Sequence, residues 1–262
     1  MDNRQVVLKS YDSWIYNGFI TMQLTVVTPT YNEAENLPGL VSALFGLAIE
    51  DLSILVVDDN SPDGTGQVAE QLAQNYPERI TVLHRAGKLG LGTAYIKGFH
   101  EALKAGAKAI AQMDADLSHP PEMLLPLMEA LKNCDVALGS RYVPGGGVDV
   151  RWSQWRKFLS AFGNHYARII LGLPIRDVTG GFKIWRRETL LGMPLDRIRS
   201  NGYAFQIEMA YVAYKLGYTF QEVPFYFADR RWGSSKMSFL IQREAALRVW
   251  QIRLKYRQVR PY

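Results

Sequence analysis

Five short apolar runs, each ending in a polar, turn-forming segment, constrain this chain more than any other feature. They are Leu24–Thr28, Ile54–Val57, Ile80–Leu83, Ala109–Met113 and Val136–Gly139. Each is too short for a helix and reads as a buried strand. Helix-length segments lie between them. Leu37, Leu40, Val41 and Leu44 share one face of the first, with Asn32 as expected N-cap and Glu35 as its capping-box acid. Thr65–Asn75, Thr93–Ala105 and Pro121–Asn133 supply the next three. This alternation predicts an α/β fold with a doubly wound, mostly parallel sheet. Ligands of such sheets bind in the crevice outside the carboxyl ends of the strands. The residues that follow each run are therefore the candidate site.

The first strand end reads Thr28-Pro29-Thr30-Tyr31-Asn32-Glu33, and the second runs from Asp58 and Asp59 to Thr65. A carboxylate accepts two hydrogen bonds from a ribose diol or a base edge, so acids here are candidate nucleoside readers. Asn, Ser, Pro, Asp and Gly also form turns, which is the competing account of Asn60 and Asp63. The fourth end, MDADLSHPPE, places Asp114 and Asp116 one residue apart. Two hard oxygen ligands suit Mg²⁺ or Mn²⁺ bridging to a diphosphate. An Asp-rich turn capping the helix after Pro120 accounts for the same pair. The fifth end is Gly139-Ser140-Arg141-Tyr142. No GxGxxG follows the first strand, which argues against a dinucleotide enzyme.

Composition narrows the class. Among 262 residues, 48% are hydrophobic, enough for a sizeable core. One cysteine, Cys134, excludes an internal disulfide framework and points to a reducing compartment. Four histidines with no close Cys partner argue against zinc. Net charge is +5, yet Arg230–Tyr262 holds nine Lys/Arg against one Glu, so this tail carries +8 and the rest −3. A basic tail on a mildly acidic body fits an anionic surface or a polyphosphate, or simply a solvated helix face. No apolar stretch reaches the roughly 18 residues of a membrane span, and no signal peptide is evident. Residues 1–22 read as an extension, or as upstream of a start at Met22.

The second half is less regular. Gly145-Gly146-Gly147 is expected to be a mobile connector. Trp155–Leu171 is a long amphipathic stretch bearing Trp155, Phe158, Phe162 and Tyr166 near one face. Phe205–Leu216 reads as a helix, Phe220–Phe227 as a strand, and Ser238–Tyr256 as a basic amphipathic helix. The aromatic and basic helices both suit a membrane interface; core packing is the other account of each.

Six segments then occur in order: TPTYNEAENL, VVDDNSPDGTG, HRAGKLGLGTAY, MDADLSHPPE, GSRY and TGGFKIWRRE. Together they resemble the family-2 glycosyltransferases, and most closely the dolichol- or polyprenol-phosphate mannose synthases, over about Leu24–Lys236. The resemblance implies a nucleotide-diphospho-sugar transferase (GT-A-like) fold. It divides the chain into an extension (1–22), a catalytic domain (23–236) and a basic C-terminal helix (237–262) that faces a membrane or a partner. It implies inverting transfer of mannose from GDP-mannose to a polyprenyl or dolichyl monophosphate, with Mg²⁺ or Mn²⁺. Pro29, Tyr31, Glu33 and Asp58 fall at the nucleoside, and Asp114 and Asp116 at the metal. Arg141, Arg231 and Lys236 fall at the diphosphate and acceptor phosphate, and Asp116, Arg141 and Lys236 are the expected catalytic set. Some relatives carry Gln where this chain has Ser118, so a water or a backbone carbonyl would complete the metal's shell here. Thr179–Lys183 is expected to be a flexible turn able to approach sugar or phosphate closely, and in the family pattern Glu208 lies near it; a structural salt bridge is the alternative.

The chemistry agrees. Departure of GDP builds negative charge that a divalent cation, Arg and Lys stabilise. The acceptor is a phosphate monoester whose second pKa is about 6, so it is already largely a dianion at neutral pH. It needs positioning more than a strong base, and His84 and His119 are expected to be structural or to support the site's ligands from behind. The expected partners are the sugar nucleotide, the lipid phosphate, a membrane surface and a membrane-spanning subunit, with no nucleic acid. The expected location is the cytoplasmic face of a membrane, held peripherally. Two alternatives stand beside this reading: a UDP-sugar donor such as UDP-glucose on the same acceptor, and a non-catalytic sugar-nucleotide-binding subunit.

Overall fold

The computed structural model describes residues 22–228 and 239–259, with the backbone alone over 239–245. The first half is β1 (Leu24–Thr30), α1 (Leu37–Phe45), β2 (Leu52–Asp58), α2 (Thr65–Asn75), β3 (Ile80–His84), α3 (Leu91–Lys104) and β4 (Ala109–Gln112). A 3₁₀ turn, Pro121–Met123, then leads into α4 (Leu124–Leu131) and β5 (Val136–Ser140). The second half is β6 (Gly147–Val148), α5 (Gln154–Leu171), β7 (Lys183–Arg186), α6 (Arg187–Gly192), α7 (Gly202–Lys215), β8 (Phe220–Pro224), β9 (Tyr226–Phe227) and α8 (Phe239–Lys255).

The main sheet has the order β3-β2-β1-β4-β7-β5-β8. All neighbours pair in parallel except β7, which runs antiparallel between β4 and β5. Successive side chains of a strand point to opposite faces. Val26 and Val56 accordingly pack beneath α1 and α4 with Leu40, Leu44 and Leu127. Val27 and Val57 pack on the other face with Tyr95, Phe99, Phe205 and Ile252. Burial on both faces is why these strands read as continuous apolar runs. Gly98 lets α3 lie flat on the sheet: a Cβ there would fall 2.4 Å from Val27 Cγ1.

Several expectations are corrected. β7 was not foreseen, because Lys183-Ile184-Trp185-Arg186 has no apolar run and follows a glycine pair. Helix α1 begins at Leu37 after Asn36, so Asn32 and Glu35 form no capping box. Asn32 instead sits at φ +62° inside the strand-end loop, a conformation an N-cap does not use. The triglycine is built into hydrogen-bonded structure: Gly147 N donates to Phe225 O at 3.0 Å, and β6 pairs with β9 in parallel. Gly146 is required there, since a Cβ would lie 2.4 Å from Ser140 O. The expected strand Phe220–Phe227 breaks at Phe225 into β8 and β9, which join different sheets.

Helix α8 packs on the body. Val249, Ile252 and Tyr256 are buried in the core, and Trp250 Nε1 donates to Tyr166 Oη of α5 at 3.0 Å.

Candidate active site

The carboxyl ends of β1, β2, β4 and β5 line one edge of the sheet, as the strand order requires. Beyond β4 the chain folds back on itself. Asp114 N donates to His119 Nδ1 at 3.2 Å, and Ser118 N donates to Asp116 Oδ1 at 3.0 Å. Tyr95, reaching up from α3, donates its hydroxyl to Asp114 Oδ1 at 3.0 Å. Burial and the adjacent Asp114 push the Tyr95 pKa well up, so it remains a donor. His119 is buried and stacks on Phe182 with 4.9 Å between ring centroids. Burial holds its pKa below the ordinary histidine value against the pull of Asp114 and Asp116. With Nδ1 accepting, it is a neutral structural ring, as expected.

Three strand ends carry left-handed residues: Asn32 (φ +62°), Asn60 (φ +56°) and Leu117 (φ +59°). Asparagine tolerates this region; leucine does so at a cost of order 1–3 kcal/mol. The strain at Leu117 lies immediately after Asp116.

At the ends of β1 and β2, Asp58 is buried and ties the two strand ends together. Thr30 Oγ1 donates to Asp58 Oδ1 at 3.1 Å, and the Ser61 hydroxyl donates to the same oxygen at 2.5 Å. Ser61 N donates to Asp58 Oδ2 at 3.2 Å. Asp63 Oδ1 receives Thr65 N and Oγ1, while Oδ2 receives Ala34 N at 3.1 Å. Burial raises the Asp63 pKa, but these bonds outweigh it and hold the carboxyl below its usual range. Turn chemistry therefore accounts for Asp63. Glu33 Oε2 accepts from Asn36 Nδ2 at 2.7 Å, and Glu33 N donates to Thr65 Oγ1 at 2.9 Å. Pro29 lies within β1 opposite Val57. Tyr31, just past the strand, lies under Lys88, whose Nζ is 3.9 Å from the ring centroid.

At the end of β5, Arg141 is locked in a fork. Its Nε and Nη2 donate to Asp177 Oδ2 and Oδ1, both at 2.7 Å, and Nη2 also donates to Thr179 Oγ1 at 2.9 Å. Burial alone would lower the Arg141 pKa and raise that of Asp177. Their mutual attraction outweighs it, raising the arginine and lowering the carboxyl. This is a permanent charge pair with Nη1 left outside the fork. Arg141 lies 5.6 Å from the Phe227 ring, Trp152 meets that ring edge-on at 5.8 Å, and Arg156 stacks over Trp152 at 3.6 Å. Arg231 and Lys236 lie outside the described residues.

The pair Asp114 and Asp116 fits a hard divalent cation. Among the described residues no group of three or more His, Cys, Asp or Glu is placed so that it could hold a metal ion by itself. Mg²⁺ and Mn²⁺ need no such cage when one or two carboxylates are joined by water and substrate phosphates. Ser118 Oγ is buried beside Asp116 with no hydrogen-bond partner among the described residues, a place that would receive a metal-bound water.

Glu208 does not reach this edge. It is buried and accepts from Arg199 N, Ser200 N, Lys255 Nζ and Tyr256 Oη at 2.8–3.1 Å. The structural alternative holds: the carboxylate latches α8 to α7.

Residues 25–191 hold all of these strand ends, and they match the family model described as Glycosyl transferase family 2. The chain belongs to that family. This glycosyltransferase is 46% identical over 236 residues to the polyprenol monophosphomannose synthase of Mycolicibacterium smegmatis, covering 89% of this chain and 88% of the relative. It is 44% identical over 241 residues to the undecaprenyl-phosphate mannosyltransferase of Micrococcus luteus, covering 91% and 98%. Among solved structures, mannosyl-3-phosphoglycerate synthase from Rubrobacter xylanophilus superposes with a TM-score of 0.63 at 17% identity, covering 98% of this chain and 80% of that one. The mannosyltransferase PcManGT from Pyrobaculum calidifontis, solved with GDP-Man and Mn²⁺, gives 0.60 at 17% identity over 97% and 73%. These structures share the GT-A-like fold. Family membership makes the chain an enzyme and sets aside the non-catalytic reading.

Sequence reasoning missed Tyr95, Asp177 and Lys183, which hold the site's carboxylates, arginine and turn. Tyr95 and Asp177 sit 19 and 36 residues from the groups they hold, and Lys183, though three residues from Gly180, ties the turn to Gln206 23 positions on; no spacing rule joins these pairs. A buried polar residue in an otherwise apolar stretch, such as Tyr95 in the α3 pattern, was the one available signal.

Proposed function

We propose that this glycosyltransferase moves mannose from GDP-mannose to the phosphate of a polyprenyl monophosphate, inverting the anomeric centre. The observation that carries this reading is the sheet edge itself. It joins the Asp114–Asp116 pair to the Arg141–Asp177 fork and to the loops around Asp58 and Tyr31. The two relatives named for mannose transfer to polyprenyl and undecaprenyl phosphates support the choice of sugar and acceptor. A phosphate oxygen of the acceptor forms the new bond to the anomeric carbon as the bond to the GDP β-phosphate breaks, and GDP leaves with the electron pair. A bound Mg²⁺ or Mn²⁺ would supply charge stabilisation to the departing diphosphate. Asp114 and Asp116 would hold it, Tyr95 would orient Asp114 through its hydrogen bond, and Arg141 would offer the Nη1 left outside its fork to anionic substrate. The loops of β1 and β2 would hold the nucleoside, with Tyr31 and Pro29 as its walls and Asp58 setting their spacing. Arg231 and Lys236 remain the proposed acceptor-side cations.

The test is a donor-by-acceptor comparison. With Mn²⁺ present, GDP-mannose should raise the melting temperature more than UDP-glucose at equal concentration. A ligand at a hundred times its Kd stabilises by about 2.7 kcal/mol. GDP should be released only when polyprenyl phosphate is added. A larger shift with UDP-glucose would reverse the choice of donor.

The lipid acceptor calls for a membrane-facing surface. No helix among the described residues is long and apolar enough to cross a membrane. Helix α5 instead exposes Trp155 (66%), Phe158 (57%) and Phe162 (56%). Their rings stack at 5.7 and 6.0 Å in one stripe that continues through Tyr166 to Trp250. Exposed, stacked aromatic rings of this kind suit the headgroup boundary of a bilayer. Peripheral attachment at the cytoplasmic face through this stripe, or through a membrane-spanning partner docked on it, is part of the proposal. Trp155→Ser with Phe158→Ser should lower cosedimentation with anionic liposomes about tenfold. The melting shift with GDP-mannose should stay unchanged. Equal pelleting of variant and parent would remove the stripe as the attachment surface.

A further inference from the structure

Lys183 opens β7, and none of its surface reaches solvent. A buried ammonium is costly unless every proton finds an acceptor. The acceptors here are neutral. Nζ donates to the Gly180 carbonyl and, at 2.9 Å, to Gln206 Oε1 of α7. Burial pulls its pKa down to about 7, against the attraction of Asp177. So expensive a group needs a reason beyond packing, and its two bonds supply one.

The first bond grips the turn before β7. A trans peptide is planar, with its C=O and the following N–H on opposite sides. With the Gly180 carbonyl drawn toward Nζ, the Gly181 N–H faces away from Lys183. The same turn is held at both ends by the site. Thr179 Oγ1 accepts from Arg141 Nη2 at 2.9 Å. A Cβ on Gly181 would meet Gln206 Nε2 at 3.4 Å and His119 Cε1 at 3.6 Å, and His119 is the acceptor for Asp114 N. The second bond runs to the metal-site strand. Gln112 Nε2 donates to Gln206 Oε1 at 3.4 Å, and Trp185 Nε1 donates to Gln112 Oε1 at 2.7 Å. Gln112 is the last residue of β4, two before Asp114.

We propose that Lys183 is a positioning residue of the transfer reaction. Through Gly180 and Gln206 it holds the Thr179–Gly181 turn in fixed register with the Asp114–Asp116 strand end and with the Arg141 fork. This rests on the reading of that edge as the donor and acceptor site. Lys183 touches no substrate; it sets where the turn's backbone and Arg141 stand.

Lys183→Met keeps the length and apolar stem while removing every donor. Amide hydrogen exchange over residues 179–182 should quicken about tenfold, while the β1, β2 and β4 amides keep their protection. With GDP-mannose and polyprenyl phosphate, kcat should fall between about ten- and a hundred-fold, because small misplacements near a reacting centre are expensive. The KM for the donor should stay within about twofold, the split expected when geometry rather than affinity is lost. Should Lys183→Met fail to fold, Lys183→Leu, which also removes every donor but fills less volume, serves for the same readouts. Unchanged exchange in the turn overturns the proposal. So does a kcat within twofold of the parent, or a loss of kcat that only tracks uniform faster exchange across the sheet. If the parent itself transfers no mannose, the function proposed above fails, and the exchange measurement, which needs no substrate, still decides whether Lys183 holds the turn.

Discussion

Asp116→Ala should reduce divalent-metal-dependent transfer about a thousand-fold, the scale on which electrostatic stabilisers of a developing charge act. Donor binding measured with Mn²⁺ should weaken, and binding measured in chelator should not. The variant alone is ambiguous, because Asp116 Oδ1 also accepts from Ser118 N, two residues along the strained segment at Leu117. Asp116→Asn resolves this. An amide oxygen still receives the Ser118 N–H, so the loop is retained, but the anionic ligand is gone. Loss of transfer in both variants with unchanged melting temperatures assigns the carboxylate to the metal. Full turnover in Asp116→Asn would remove Asp116 from the metal site.

Asp177→Ala should be the most destabilising single change at the site. Asp177 is fully buried and takes both prongs of Arg141, whose side chain is also buried. Removing the carboxylate strands a cation in the interior, which costs about 3–5 kcal/mol. At about 2–4 °C per kcal/mol for a chain of this size, melting should fall by roughly 10 °C. Asp177→Ala combined with Arg141→Met removes both charges and should recover much of that loss while leaving transfer impaired. The pH dependence has a definite sign. The folded-state pKa of Asp177 is lowered, chiefly by Arg141 acting against burial. Its contribution is therefore fully present above the unfolded value of about 3.9 and is lost as pH falls through the lower folded value. The gap in melting temperature between parent and Asp177→Ala should be constant near neutrality and narrow below about pH 4. A gap that persists undiminished at pH 2–3 would mean that Asp177 acts through packing alone.

What the sequence determined follows from local rules. The central parallel strands β1, β2, β4 and β5 are buried on both faces, so each appears as an apolar run and could be read within a few residues of its bounds. The crevice rule for open sheets then selected Asp114, Asp116, Asp58 and Arg141 as edge residues before any contact was known. The C-terminal bounds of α5 and the amphipathic stripe Trp155–Tyr166 were equally legible, because helical periodicity is local.

Tertiary structure decided what depends on distant partners. β7 enters the sheet antiparallel between β4 and β5, and nothing in Lys183–Arg186 marks it as a strand until its neighbours supply the ladder. Whether Asp63 reads a nucleoside or caps a turn was settled by Ala34 and Thr65 lying within hydrogen-bond reach. Glu208 was settled by Lys255 and Tyr256, some 47 and 48 positions along the chain. The family resemblance implied a phosphate-binding role for Arg141, and only the fold brought Asp177 against it. A residue's type sets which bonds it can make, and this the sequence states outright. Which of those bonds exist depends on long-range geometry, because a buried polar group must satisfy itself with whatever partner the packing of remote segments delivers.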